Sequence, residues 1–333
     1  MPNLNRTWGF EAEWQTNAGA LAGDLYRHGL TECSDLHYYH CGCEACHPYI
    51  ERSFYAQNDS SCSGEIISRV HTFDPSAMTT AEAALYDNEP ARNTALFDDL
   101  SAAAYRVDAE PGQRAGFHVH VGTSDLTSRD KANTLAAVAR WERVLGVIAA
   151  GREQGIRSYN EALASQILGM ATLPDGVDAL DRVDKVLTLR DTTSPVRERM
   201  LSRMERGGFT RASYVNGSTG HGTWEFRLWN STRAPWRMEM YVRTSIALCD
   251  PEVARWMMTA TKGVPSLRPR GRMTETVLQR GIDRLACGLH DLGHEEAAVL
   301  LDRQRVYRSN AGWEGINSPW NDSYADDTDD DEW

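Results

Sequence analysis

His118 and His120 stand two residues apart in GFHVHVG (116–122), flanked by Phe117, Val119 and Val121. In an extended chain, residues i and i+2 point to one face, so both imidazoles share a side of a strand and the apolar residues take the other. The same period recurs in RTWGFEAEW (6–14), with Glu11 and Glu13, and in TWEFRLW (223–229), with Glu225 and Arg227. Glu65 lies in CSGEIISRV (62–70), and Arg211 and Asn216 lie in TRASYVN (210–216). A carboxylate buried without a partner is costly and tends to take up a proton instead. A sheet face carrying Glu11, Glu13, Glu65, His118 and Glu225 therefore calls for cations. Oxygen-rich donors suit a hard divalent ion, Mg²⁺ or Mn²⁺, and Mn²⁺ also accepts an imidazole. Arginines on that face add an anion to the expectation, phosphate above all.

Each piece alone has an ordinary explanation. E-x-E on a strand is commonly a solvent face, H-x-H a plain polar face, and E-F-R a cross-strand ion pair. Their joint occurrence on separate strands raises the functional reading. Gly112, followed after five residues by His118-x-His120, mimics half of a cupin metal motif. The glutamate that motif needs next is missing, because the chain runs VGTSD to Asp125.

The elements that must position these groups are short strands between helical stretches. Helical periodicity runs from Thr79 to about Val107 with a break near Pro90, and strongly over Ser128–Gly151. It resumes over 176–207, and residues 235–306 read as four helices broken near Pro251, at Pro265–Pro269 and near Gly288–Gly293. GSTGHG (217–222) is a turn between the last two strands. No strand is the continuous apolar run of a doubly wound parallel sheet. The expected fold is α+β, with a mostly antiparallel sheet and flanking helices.

With 333 residues, 41% hydrophobic and 25% charged, the chain reads as globular. The net charge of −12, much of it in DSYADDTDDDEW, argues against nonspecific nucleic-acid binding. Residues 1–318 are expected to form one domain and 319–333 an acidic, disordered tail. No apolar run has membrane-span length, and MPNLNRTWGFEAEW lacks a secretory layout, so a cytoplasmic location is expected. Four of the seven cysteines, Cys33, Cys41, Cys43 and Cys46, lie in CSDLHYYHCGCEACH. That density favours structural Zn²⁺ over disulfides, with His37, His40 or His47 as alternatives to Cys33, or else free thiols. Cys62, Cys249 and Cys287 are expected to be buried or idle.

Taken together, G-F-E-A-E-W, D-S-S-C-S-G-E-I-I-S, G-F-H-V-H-V-G and T-W-E-F-R-L-W resemble, in order and approximate separation, the amidoligase family of glutamine synthetase-like carboxylate–amine ligases. The resemblance covers about residues 7–245, and GFHVHVG followed by a long helix and an E-F-R strand is its most specific part. It implies a glutamine synthetase-like catalytic fold, with the Cys/His segment 33–47 as a zinc-binding insertion that departs from the family pattern. By similarity, Glu11 and Glu13 divide between two Mg²⁺ or Mn²⁺ ions, Glu65 joins one, and His118 and Glu225 complete the other. His120 approaches the nucleotide phosphates, and Arg227, with Arg211 or Arg233 nearby, stabilises the transferring phosphoryl group. Asn216 sits near substrate or nucleotide, and Asp59 is a candidate base for the amine. The implied chemistry joins an acid and an amine, from a peptide or small molecules, at the expense of ATP and through an acyl phosphate. Two rivals are a metal-dependent hydrolase or oxygenase using His118 and His120 without ATP, and a non-catalytic zinc-containing binding protein.

The zinc reading predicts about one zinc per purified chain by elemental analysis, lost together in Cys43→Ser and Cys46→Ser. Metal-free protein with reactive thiols at both positions would contradict it.

Overall fold

The computed structural model describes residues 6–31, 33–34, 36, 54–57, 62–73, 89–112, 115–149, 215–217, 222–260 and 275–311. Within them, seven strands form one sheet: β1 (Thr7–Trp14), β2 (Phe54–Gln57), β3 (Gly64–Ser68), β4 (His71–Thr72), β5 (Gly116–Gly122), β6 (Val215–Asn216) and β7 (Thr223–Asn230). The order is β2-β3-β1-β5-β7-β6, with β4 also on β1, and every pairing among the described residues is antiparallel. The helices are α1 (Ala18–Arg27), α2 (Glu89–Arg106), α3 (Ser128–Ala149), α4 (Pro235–Leu248), α5 (Pro251–Thr259), α6 (Glu275–Asp291) and α7 (Glu295–Ala311). An antiparallel sheet with flanking helices is thus the architecture, as the patterning predicts.

Alternation divides the sheet. Trp8, Phe10, Ala12, Phe117, Val119, Val121, Trp224 and Phe226 are buried on one face. Phe10 stacks on Phe117 with ring centroids 4.9 Å apart, and Trp229 on Tyr241 of α4 at 4.8 Å. Two of the buried indoles have their N–H groups satisfied: Trp229 donates to Ser245 Oγ and Trp141 to the Met257 carbonyl, both at 2.9 Å. The last carbonyls of α3 would otherwise be orphaned. Ala149 O accepts from Arg237 Nη2 and Tyr241 OH, each at 3.2 Å, and Ile148 O accepts from Gln304 Nε2 at 2.8 Å.

Helix boundaries follow local chemistry. Asn17 caps α1 by accepting from Ala20 N, and Asp250 caps α5 by accepting from Glu252 N, with Pro251 in the first turn. Pro90 falls in the first turn of α2, where its missing N–H costs no helical hydrogen bond, and residues 79–88 of the expected helical stretch lie outside the described residues. The four C-terminal helices fall between the expected breaks. Helix α1 and strands β2 and β4 carry no expectation from the sequence. The 176–207 helices, Arg211, Asp59, Cys41, Cys43, Cys46 and the acidic tail lie outside the described residues, and Cys33 is a half-buried free thiol. No described helix is long and apolar enough to cross a membrane.

His71 stacks on Trp8 at 4.6 Å. Burial, helped by the Arg69 charge, pulls its imidazole down to about 3. The fold therefore favours the neutral ring, while an unfolded chain takes up a proton near 6.5, so this contribution falls as pH drops from about 6.5 towards 3. His71→Phe keeps the stacking without the titration. It is expected to flatten the acid decline of Tm between about pH 6.5 and 5, as followed by circular dichroism melts.

Candidate metal and active site

Residues paired directly across antiparallel strands share a face. Glu11 opposes His118, Glu13 opposes Glu65, His120 opposes Glu225, and both Gln57 and Asn216 sit opposite an acid, Glu65 and Glu225 respectively. The register thus gathers Glu11, Glu13, Glu65, His118, His120, Glu225 and Asn216 onto the face away from the aromatic layer. Between Phe117 and Val119 the β5–β7 register shifts, so that Arg227 and Leu228 stand against one residue of β5. Such a bulge re-aims side chains near sites.

Glu11 is the hub. Its Oε2 lies 3.1 Å from His118 Nδ1 and its Oε1 3.2 Å from His120 Nε2. Gly9 faces His120 across the strands and lacks a side chain; a Cβ there would meet the Arg69 carbonyl at 3.3 Å. His118 is 1% exposed, with Glu225 Oε1 3.5 Å from Nδ1 and Glu13 Oε1 3.7 Å from Nε2, which has no hydrogen-bond partner. Glu13 Oε2 accepts from the Gly116 backbone N–H at 2.6 Å, and Glu65 Oε2 accepts from Gln57 Nε2 at 2.5 Å. Glu225 is held from both sides, by Asn216 Nδ2 on Oε2 at 2.8 Å and by Arg227 Nη1 on Oε1.

Burial by itself would raise the Glu11 carboxyl. The His120 charge and hydrogen bonds from His118 and His120 outweigh it and hold Glu11 well below the usual carboxylate range. Burial would likewise lower His120, but Glu11 as charge and acceptor, together with Glu225, raises it above the ordinary imidazole value against the opposing Arg227.

Ligand atoms of Glu11, His120 and Glu225 all lie within 4.8 Å of one another. Donors at about 2.1–2.2 Å from a shared Mn²⁺ or Mg²⁺ would stand up to about 4.4 Å apart, so a small closure suffices. The donor chemistry fits: two carboxylates and one imidazole are an oxygen-rich set for a hard ion. His118 Nε2 is buried, has no hydrogen-bond partner among the described residues and lies 3.7 Å from Glu13 Oε1, so it fits as a further donor beside Glu13.

Not every expected residue joins this group. Arg233 pairs with Glu110 Oε1 at 3.0 Å and lies over the Tyr105 ring at 4.5 Å. Asn216 contacts Glu225, and His120, expected on the phosphates, stands in the ligand triangle. Gln57 was not legible: FYAQ is too short for a periodic pattern, and its only signal is the strand neighbour Glu65.

No family model matches the chain, and no curated protein matches it in sequence. Among solved structures, it is similar to the complex between the prokaryotic ubiquitin-like protein Pup and its ligase PafA, with 10% identity over 97% of this chain and 69% of that one and a TM-score of 0.37. A bifunctional glutathione synthetase from Pasteurella multocida is 11% identical over 97% of this chain and 49% of its own length, with a TM-score of 0.36. The chain thus spans about half of the synthetase. Similarity this distant decides nothing about activity.

The His120 and Glu11 shifts have opposite consequences with and without metal. Their mutual stabilisation is fully present between the ordinary carboxylate and imidazole values. It is lost as Glu11 protonates in acid and as pH rises through the raised His120 value. Metal instead requires the neutral imidazole. In chelator, Tm is expected to drift down from pH 6.5 to 8.5, whereas the Mn²⁺-induced gain, about 2.7 kcal/mol at a hundredfold excess over Kd, grows over that range. Glu225→Gln should abolish most of the gain; an undiminished gain in that variant would remove Glu225 from the metal set.

Proposed function

We propose that this chain is an ATP-dependent carboxylate–amine ligase that forms an amide through an acyl phosphate. The observation that carries the reading is the gathering of Glu11, Glu13, Glu65 and Glu225 with His118, His120 and Arg227 on one sheet face. Carboxylate and ATP are both anionic, so their approach is unfavourable until cations absorb the charge. Glu11, His120 and Glu225 would hold one Mg²⁺ or Mn²⁺, and Glu13 and Glu65, with His118 between the two groups, the other. Bound metal supplies charge neutralisation on the phosphates. Arg227, and Arg211 by resemblance, would stabilise the transferring phosphoryl group. Residues 1–318 would form the catalytic unit, with the zinc-binding segment 33–47 beside its mouth.

The chemistry balances without a protein nucleophile. A carboxylate oxygen of the acid attacks the γ-phosphorus, the bond to the β–γ bridging oxygen breaks, and ADP leaves. The amine nitrogen then forms the C–N bond, phosphate departs with the electron pair of the acyl C–O bond, and the amine proton passes to a base. The oxygenase reading fits less well, because two imidazoles and one carboxylate are its usual set, whereas two carboxylates and one imidazole converge here.

Hydroxylamine tests this without knowledge of the amine. In a panel of amino acids, peptides and dicarboxylic acids with Mg-ATP, at least one acid is expected to release ADP and yield its hydroxamate. Glu225→Gln should lower that rate by about a hundredfold or more. ATP turnover that no acid stimulates would overturn the ligase assignment.

A further inference from the structure

We infer that Gln57 and Asn216, one from each end of the described strand order, are a matched pair of positioning residues that fix the carboxylates Glu65 and Glu225 through uncharged amides. The inference rests on the metal reading proposed above and names residues that reading leaves without this role. Among the described residues, β2 and β6 are the two ends of the strand order. Each contributes one amide side chain to the acid directly opposite on the next strand inward, Gln57 to Glu65 and Asn216 to Glu225. In both pairs the amide nitrogen donates to the carboxylate Oε2, at 2.5 and 2.8 Å.

The choice of an amide matters. Gln57, Glu65 and Glu13 form a line across three strands and are 7%, 3% and 4% exposed. Two carboxylates opposed at cross-strand distance repel in such surroundings. A lysine or arginine in place of Gln57 would relieve the repulsion permanently and compete with a cation. A neutral N–H donor instead fixes one oxygen of Glu65 without adding a charge, as the Gly116 N–H does for Glu13. Outer donors of this kind orient metal ligands and hold them in the ionised form. At Glu225 the neutral donor is Asn216, which takes Oε2, while the Arg227 guanidinium pairs with the other oxygen, Oε1.

The two pairs address different acids, so their losses should be separable. Mn²⁺ titrations followed by the electron paramagnetic resonance of free Mn²⁺, on the whole chain, give the affinity of each site, with Glu65→Gln and Glu225→Gln assigning the two classes. Gln57→Met is expected to weaken the Glu65 class by about tenfold to a hundredfold and leave the Glu225 class unchanged, and Asn216→Leu to do the reverse. Gln57→Asn, which keeps a buried amide but withdraws it by one methylene, should reproduce the Gln57→Met effect even if the methionine variant folds poorly. General damage to the fold would weaken both classes together and would count against the positioning role, as would unchanged affinities in folded variants. Wild-type protein that takes up no Mn²⁺ would remove the metal reading itself, a result distinct from either.

Discussion

Like charge held on one buried sheet face is the constraint on which the rest depends. At about 5 Å and an effective dielectric near 20, two carboxylates repel by about 3 kcal/mol. Glu13 opposes Glu65 directly, and Glu225 lies across β5 from Glu11, with His118 and His120 between them. Such an arrangement persists only if donors, imidazoles or cations hold each acid. The described residues supply all three kinds. Glu11 faces two imidazoles, Glu225 an arginine and an amide, Glu13 a backbone N–H with the His118 ring 3.7 Å away, and Glu65 the Gln57 amide.

The opposite face explains how the acids stay fixed. Trp8, Phe10, Phe117, Phe226 and Trp229 form a close-packed aromatic layer against which α4 lies, and Phe10, Phe117, Tyr241 and Trp229 touch in series. Shifting any strand by one residue would turn this layer to the polar side and the acids into the core. Packing thereby enforces the register that brings Glu11 opposite His118 and His120 opposite Glu225. The β7 bulge adds one local adjustment, letting Arg227 reach back to Glu225 while Leu228 and Trp229 both remain buried.

The proposed ligation would bring two anions together and so needs positive charge that can be delivered with the nucleotide, not built permanently into the wall. Carboxylates held by neutral donors suit that demand. Among the described residues, Arg227 engages Glu225, whereas Arg233 is occupied by Glu110 and Tyr105.

The sequence by itself determined the composition of this face. E-x-E, H-x-H and E-F-R each declare a two-residue period, and that period fixes which side chains share a side of their own strand. Of the described helices, all but α1 were legible through apolar recurrence and their proline and glycine breaks. Pairing was not legible, because nothing in a strand's own alternation states its neighbour or its register. Glu13 meeting Glu65, Gln57 entering from a four-residue strand, and Arg233 turning to α2 are decided by contacts between residues far apart in the chain. Only the folded sheet, where aromatic packing selects one register among several, settles them.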